Sequence, residues 1–274
     1  MSKQRRFLFF GAHPDDADLL FGGTSIKLAR AGHAVKFVSV CNGDCGHYSM
    51  PSPDLAKRRY LETQASAKIA GLTEYEVLPI SDCSLECNLA NRETIIRIIR
   101  RFQPDVVISH RACDYHADHR NTGQLVMDAA YLVKVPLYCP DTPIAANNPV
   151  FAYSYDRFVD PRPLRPDAAV EIDSVLETKL AMVQCHQSQF FEWLPWDKGF
   201  KDFDQNKMTA AEKRQWIMEQ WGTRFQAAAD LGRQTLIETY GEKAGKKIKY
   251  AEVFELSPYG ANVSIEEFRQ LFQP

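Results

Sequence analysis

Short apolar runs alternate with stretches of helical periodicity along the first half of the chain. The apolar runs predict buried strands at 7–10, 35–40, 75–78 and 105–109. The periodic stretches between them predict helices over 19–31, 53–70 and 91–102. Strands that alternate with helices in this way are typical of a parallel, doubly wound sheet.

The second half of the chain carries a more helical pattern. A helix is predicted at 121–133, followed by an irregular segment, 136–149, that contains four prolines. Beyond it the pattern predicts strands at 168–172 and 250–256 and helices at 174–186 and 212–240, the last broken near Gly222 or Gly232. We expect an α/β, Rossmann-like, mostly parallel sheet flanked by helices, with a helical C-terminal elaboration, as one domain over 1–274.

The first predicted strand runs directly into the sequence His13-Pro14-Asp15-Asp16. Ligands of open parallel sheets bind outside the carboxyl ends of the strands, so these side chains are expected at the rim of a crevice. Pro14 fixes its own φ angle and biases His13 toward an extended backbone. The turn that presents the imidazole and the two carboxylates is therefore predicted to be stiff.

A second cluster of His and Asp, residues 114–119, follows the strand predicted at 105–109. A catalytic zinc site needs three protein ligands and an open position, and zinc accepts imidazole and carboxylate together. His13, Asp16 and His119 form one suitable set. Asp15 and His116 would then lie close by without binding the metal, as an acid/base pair for metal-assisted amide hydrolysis.

Plainer interpretations stay open for each of these motifs. Asp15 and Asp16 could be helix N-terminal carboxylates that the helix dipole stabilises. The His-x-x-His pair could lie on a solvated loop. The Gly22-Gly23-Thr24 segment lacks the context of a phosphate-binding loop, so close backbone packing is the better interpretation.

Composition narrows the class of partner. Apolar residues make up 45% of the 274-residue chain and the formal charge is −2, which favours small neutral substrates over nucleic acid or anionic lipid. No apolar run approaches the ~18 residues of a membrane span. The run 7–12 is too short for the apolar region of a signal peptide, so we expect a cytoplasmic location. The seven cysteines are an odd number spread along a large chain, which favours reduced thiols.

Five motifs occur in an order and spacing that resemble the PIG-L/LmbE-like family of zinc-dependent N-deacetylases. They are Ala12-His13-Pro14-Asp15-Asp16, Gly22-Gly23-Thr24, Asn42-Gly43-Asp44, Arg59-x-x-Glu62 and His116-x-Asp118-His119. The resemblance covers about 6–133, and His186-x-Ser188-Gln189 is similar to the C-terminal half of that family.

The resemblance implies a mechanism in which His13, Asp16 and His119 bind Zn²⁺. Asp15 would be the general base that activates the metal-bound water. His116 would stabilise the oxyanion and protonate the departing amine. Fe²⁺ or Co²⁺ would also suit nitrogen and oxygen ligands.

The resemblance also implies roles around these residues. Asp118 would orient His116, and Arg59, together with Asp44 of the third motif, is expected to contact substrate. The family often has a Glu where this chain has Ala17. We expect this departure to change the pocket rim and to leave the chemistry intact.

We therefore expect a metal-dependent hydrolase that removes acetyl from an N-acetylglucosamine-type sugar or a related small molecule. Hydrolysis of a different amide and non-catalytic metal or sugar binding remain open. A dinucleotide-dependent oxidoreductase lacks its glycine fingerprint here, and a nucleophilic hydrolase lacks its Gly-x-Ser-x-Gly elbow. The sequence also leaves open a homo-oligomer and the roles of His186, Gln189 and the aromatic residues Phe190, Phe191, Trp193 and Trp196.

Overall fold

A computed structural model describes residues 4–200 and 202–273. Its centre is a seven-stranded sheet of order β3-β2-β1-β4-β5-β7-β6. The strands are β1 Arg6–Gly11, β2 Ala34–Cys41, β3 Glu74–Ile80, β4 Val106–Ser109, β5 Val150–Ser154, β6 Ala168–Glu171 and β7 Ala251–Gly260. Neighbouring strands from β3 to β5 are parallel, and β7 runs antiparallel to both β5 and β6.

Helices cover both faces of this sheet. They are α1 Asp16–Arg30, α2 Ser52–Ala70, α3 Leu89–Phe102, α4 Ala117–Leu132, α5 Leu176–Cys185, α6 Leu194–Asp197, α7 Ala210–Ile217, α8 Thr223–Leu231, α9 Arg233–Tyr240, α10 Glu242–Gly245 and α11 Ile265–Leu271. The predicted fold class, a Rossmann-like and mostly parallel sheet with a helical C-terminal part, is confirmed. Within the described ranges, no helix combines the length and apolar character needed to cross a membrane.

Two predicted helices begin earlier than their apolar patterns suggest. Helix α1 begins at Asp16 and α4 at Ala117, several residues before the starts predicted at 19 and 121. Both first turns are acidic, and negative charge there is stabilised by the helix dipole. The apolar pattern of the sequence covers only the later turns of α1 and α4, whose apolar side chains face the core. As a result, the two candidate clusters lie at helix N-termini as well as at strand ends.

Four short elements, β5, α6, α10 and α11, are absent from the sequence prediction. Strand β5 has only five residues and directly follows Pro149, so its apolar run was hidden within a proline-rich stretch. Helix α11 is seven residues long and begins with a capping box between Ser264 and Glu267. The predicted breaks near Gly222 and Gly232 are both present, the first as a π-helical turn, Met218–Gly222, and the second between α8 and α9.

Alternate side chains of the central strand β1 fill two separate cores. Phe7 and Phe9 pack into the layer that includes helices α1 and α5, whereas Leu8 and Phe10 pack toward α3 and α4. All four side chains are fully buried. Because full burial of such a side chain contributes about 1.5–3 kcal/mol, both faces fix β1 firmly in the sheet.

The order of the strands reverses beside β1. The chain proceeds from β1 to β2 and β3 on one side, then returns to place β4 on the other side. A crevice opens at such a switch point, outside the carboxyl ends of the strands. The fold therefore brings the residues after β1 and the residues after β4 to the same crevice.

A buried arginine organises the irregular segment after α4. Arg100 is 1% exposed, and its guanidinium donates hydrogen bonds to six backbone carbonyls. These carbonyls belong to Leu132, Val133, Val135, Tyr138, Cys139 and Thr142. Residues 136–149 form no strand or helix whose own hydrogen bonds would pair these carbonyls. The Arg100 side chain therefore satisfies backbone groups that burial would otherwise leave unpaired.

We predict that Arg100→Met lowers the free energy of unfolding by about 3–5 kcal/mol, because it leaves several buried carbonyls without donors. Chemical denaturation of the two proteins measures this difference. The neighbouring Arg101 is exposed on the same helix and serves as the control. Arg101→Met is expected to change stability by less than about 0.5 kcal/mol. Equal effects of the two substitutions would contradict the role given to Arg100.

Candidate metal centre

The turn between β1 and α1 presents the first group of site residues. The backbone N–H groups of Asp15 and Asp16 both donate to the carbonyl of His13, at 2.8 and 3.3 Å. Gly11 lies beneath this turn, where an added Cβ would come within 2.8 Å of the Asp16 Cβ. Only glycine therefore allows the strand end to approach the Asp16 side chain so closely.

The predicted ligand set is assembled at the end of the sheet. His13 Nδ1 lies 3.2 Å from His119 Nε2, and His119 Nε2 lies 3.5 Å from Asp16 Oδ1. Two ligands at about 2.05 Å from a tetrahedral zinc ion are separated by about 3.3 Å. His119 Nε2 thus has this spacing to both partners, His13 Nδ1 lies 3.7 Å from Asp16 Oδ2, and the three side chains form one of the groups in the described chain that could hold a metal ion.

A carboxylate lies behind each imidazole of this set. Asp118 Oδ2 is 3.2 Å from His13 Nε2, and Asp114 Oδ2 is 3.2 Å from His119 Nδ1. These contacts orient the rings so that His13 Nδ1 and His119 Nε2 face each other at 3.2 Å, a separation that a shared proton or a metal cation can bridge. Carboxylates in this position are usual behind metal-binding histidines. The residues present therefore fit a divalent metal.

The position of Asp118 differs from the expectation that its carboxylate orients His116. The Asp118 carboxylate lies 3.9 Å from His116 Nδ1, whereas the Asp118 backbone N–H donates to that nitrogen at 3.1 Å. His116 is the N-cap of α4, and this hydrogen bond is its capping interaction. Asp118 therefore orients His116 through its backbone and His13 through its side chain.

The capping interaction also determines the protonation pattern of His116. Since Nδ1 accepts a hydrogen bond, the neutral ring carries its proton on Nε2. Burial lowers the pKa of His116, and electrostatic interaction with the neighbouring His13 and His119 rings lowers it further. His116 is thus a neutral donor whose N–H is available to the cavity that it lines.

Asp15 is held by an arginine. Arg59 Nη2 lies 3.3 Å from Asp15 Oδ1, and Arg59 Nη1 lies 3.6 Å from Asp82 Oδ2. Asp15 is the N-cap residue of α1, but its side chain makes no capping hydrogen bond. Burial raises the pKa of Asp15, with Arg59 opposing the shift. The carboxylate therefore lies at the helix N-terminus, as the dipole interpretation expects, but it is not engaged in a capping hydrogen bond.

The charges of the site favour a cation. Burial opposes ionisation of Asp16, but His119 and the other nearby imidazoles hold its pKa well below the usual range. Burial likewise disfavours the charged form of His119, yet Asp16 and Asp114 raise its pKa to about 9. A group of carboxylates that stabilises positive charge on an imidazole also favours a metal cation at this position.

His110 is a site residue that sequence reasoning missed. It directly follows β4, and its Nε2 lies 3.3 Å from Asp16 Oδ2. Its ring stacks on that of His119 with centroids 4.4 Å apart. Asp16 Oδ2 also accepts a hydrogen bond from the backbone N–H of His13 at 2.8 Å. Because these contacts occupy Oδ2, Oδ1 is the oxygen that faces the other ligands. The position of His110 at a strand end was the signal that could have identified it.

Asp44 occupies a different position from the one expected of a substrate contact. Its carboxylate accepts hydrogen bonds from the Ser81 hydroxyl and the Asp82 N–H, and it is not among the described residues that line the cavity. Glu62 contacts Arg58 and Ser188 rather than Arg59.

The centre opens into a cavity of about 430 Å³. Its lining includes Asp15 and His116 as well as residues far along the chain, among them Gln189, Trp193 and Arg224. A volume of this size suits a small molecule. The C-terminal half therefore supplies a wall of the cavity whose floor is the candidate centre.

The aromatic residues considered for sugar stacking divide into two groups. Phe190 and Phe191 are buried in the core, whereas Trp193 lines the cavity and stacks on Trp196 at 5.3 Å between ring centroids. Trp196 stacks in turn on Tyr48, and both are about half exposed.

His186 is fully buried and lies outside the cavity lining. Its Nε2 is 3.2 Å from Asp18 Oδ2, and Asp18 also accepts hydrogen bonds from Ser66 and from the Tyr75 hydroxyl. Burial disfavours the charged form of His186, but Asp18 raises its pKa overall. Through Asp18, these contacts hold the first turn of α1, which directly follows Asp15.

The fold and the site define an α/β protein with a two-histidine, one-aspartate candidate metal centre at its strand ends. Residues 8–130 match the profile of the PIG-L family, described as GlcNAc-PI de-N-acetylase. The matched segment runs from β1 into α4 and contains the whole ligand set. This part of the chain is therefore similar to the PIG-L family of deacetylases, and the resemblance drawn from the five motifs is confirmed.

Individual relatives include two activities. The chain is 29% identical to a diacetylchitobiose deacetylase from Thermococcus kodakarensis over 70% of this chain and 74% of that protein. It is 28% identical to a 4-oxalmesaconate hydratase from Pseudomonas putida over 69% of this chain and 76% of that protein. A structure of N,N'-diacetylchitobiose deacetylase from Pyrococcus horikoshii superimposes with a TM-score of 0.69 and 25% identity, covering 93% and 84% of the two chains.

We predict that Asp118→Asn weakens metal binding by about 10–100-fold, because His13 loses the carboxylate that fixes its ring and increases its basicity. Chelator competition with the purified proteins measures the affinity. Asp128→Asn is the matched control, since Asp128 lies on the same helix and pairs with Arg92. Wild-type affinity in Asp118→Asn would contradict the role of the carboxylate behind His13.

Proposed function

We propose that the chain is a metal-dependent N-deacetylase that removes acetyl from an N-acetylglucosamine-type sugar or a related small molecule. The observation that carries this proposal is the presence of Asp15 and His116 in one cavity with the ligand set. A binding protein would need neither group. The names of the deacetylase relatives support an N-acetylated sugar as the substrate.

His13, Asp16 and His119 would hold the metal. Zn²⁺ matches this ligand set best, and Fe²⁺ or Co²⁺ would fit the same nitrogen and oxygen ligands. When bound, such a cation lowers the pKa of water and polarises a carbonyl oxygen. Asp118 and Asp114 would fix the two imidazoles, so the site requires little reorganisation.

Asp15 is proposed as the general base. It accepts a proton from the water that attacks the amide carbonyl carbon, and Arg59 holds its carboxylate in place at 3.3 Å. Burial raises the pKa of Asp15, which brings its basicity nearer to that needed at neutral pH. Arg59 also lines the cavity, and we propose that it contacts substrate in addition to positioning Asp15.

His116 is proposed to act on the other atoms of the amide. Its Nε2–H donates to the carbonyl oxygen as negative charge develops there. The carbon–nitrogen bond then breaks, and a proton reaches the departing nitrogen, so that amide and water give acetate and a free amine. The Asp118 backbone keeps the ring in the orientation that this requires. We propose a supporting role for Asp44, in the loop that carries Cys45 and Gly46.

We also propose that 1–274 is one domain and that the protein is cytoplasmic. Strands from both halves of the chain join the same sheet, which supports the first point. All seven cysteines are free thiols, which supports the second.

We predict that Asp15→Asn lowers the rate of amine release by about 10²–10⁴-fold while metal content stays unchanged, since the amide cannot accept the proton. The assay measures free amine from a panel of N-acetylglucosamine derivatives with metal-replete protein. Asp54→Asn is the control, because Asp54 is exposed in the first turn of α2. Wild-type rates in Asp15→Asn would exclude Asp15 as the base.

A second candidate activity is the addition of water to an unsaturated acid. The 28% identity to the hydratase is nearly the same as the 29% identity to the deacetylase, so overall similarity does not separate the two. To test this reaction, the protein is incubated with 4-oxalmesaconate, and the absorbance of the unsaturated acid is measured over time. Amine release without consumption of the unsaturated acid would support the deacetylase, and the opposite result would support the hydratase.

A further inference from the structure

The cavity contains two arginines whose charges are not balanced. Arg157 lies in the loop after β5 and Arg224 in the first turn of α8, and both line the cavity. Among residues 4–200 and 202–273, neither forms an ion pair with a carboxylate. Arg111, by contrast, is neutralised by Asp156, to which it donates two hydrogen bonds of 2.6 and 2.5 Å.

The surroundings of Arg224 are unusual for an arginine with a purely structural role. Among the described residues, its one hydrogen bond is a long contact of 3.3 Å from Nη2 to the Tyr155 carbonyl. Its Nε is buried and has no acceptor among those residues. Burial lowers the pKa of Arg224 and the like charge of Arg157 lowers it further, while Tyr155, Asp16 and Asp114 oppose the shift. A guanidinium with a buried, unpaired Nε that lines the same cavity as a second arginine is typical of a site that an anion completes.

The position of the pair relates it to the candidate metal centre. The Tyr115 ring lies 5.8 Å from the His119 ring and 6.3 Å from the ring of Phe158, the residue after Arg157. Arg111 holds this loop in place by donating to the Phe158 carbonyl at 2.9 Å. Arg157 therefore lies in a fixed loop next to the ligand set, and Arg224 contacts the same loop at the Tyr155 carbonyl.

We propose that Arg224 and Arg157 bind an anionic group of the substrate, a carboxylate or a phosphate. The planar fork of a guanidinium matches both groups. This inference names the substrate class of the proposed deacetylase, and its second test therefore rests on the proposed function. It differs from the neutral substrate expected from the net charge of −2, because Arg157 and Arg224 place positive charge in the lining of the cavity.

The first test measures binding without catalysis. Metal-loaded, full-length protein is titrated calorimetrically with succinate and, separately, with inorganic phosphate. We expect one of the two to bind, and Arg224→Gln to weaken that binding by about 10–100-fold. Arg224→Lys should retain binding within about tenfold of wild type. Arg101→Gln, an exposed arginine on α3, is the matched control and should bind as wild type does.

Thermal unfolding and metal content of each variant show that it is folded and loaded. Failure of the wild type to bind either anion would overturn the proposal. Equal binding by wild type and Arg224→Gln would also overturn it, since the anion would then lie on the metal.

The second test compares substrates. Amine release is measured for N-acetylglucosamine, its 6-phosphate and N-acetylmuramic acid, which carries a carboxylate. We expect kcat/KM to favour one charged sugar by more than about tenfold and this ratio to fall toward one in Arg224→Gln. If Arg224→Gln does not change this ratio, the proposed anion site is wrong, and the proposed deacetylase activity is unaffected. Arg224-dependent anion binding without amine release would support the anion site and reject the proposed function.

Discussion

The site depends on the reversal of strand order between β1 and β4. These neighbouring strands end at the same edge of the sheet, and each continues into a helix whose first turn carries acidic residues. No single loop could supply both imidazoles with carboxylates behind them. The reversal joins two segments that are about one hundred residues apart, and the two buried cores on either face of β1 fix their separation. Since those cores are closely packed, the nitrogen–nitrogen distance at the centre is a property of the whole sheet.

The two halves of the chain contribute differently to this arrangement. The segment that matches the PIG-L family contains the candidate ligand set, the proposed base Asp15 and the proposed donor His116. The part beyond it supplies Gln189, Trp193 and Arg224 to the cavity wall. The candidate centre and part of the cavity wall are therefore encoded in separate stretches of sequence that meet only in the folded protein.

The sequence predicted the elements that have strong periodicity and the residues that directly follow them. His13, Asp16 and His119 were expected together because parallel strands end at a common edge. The hydrogen-bond partners were not predictable in the same way. Asp118 uses its backbone for one histidine and its side chain for another, and this choice depends on where α4 begins. Arg224 lies in a helix with an ordinary amphipathic pattern, so only the tertiary structure reveals that it lacks a carboxylate partner.

Two π-helical turns, Gln189–Trp193 and Met218–Gly222, border the cavity. A π-helical turn accommodates one more residue than an α-helical turn, so it shifts the helical phase of everything that follows it by about 100°. Trp193 and Trp221 reach the cavity from within these turns, and Arg224 follows the second of them. Insertion or deletion of a single residue in either π-helical turn would thus change the direction of a side chain that lines the cavity. The sheet and the candidate metal ligands would keep their positions. Evolution could diversify substrate choice here by insertion and deletion, without passing through an inactive catalytic centre.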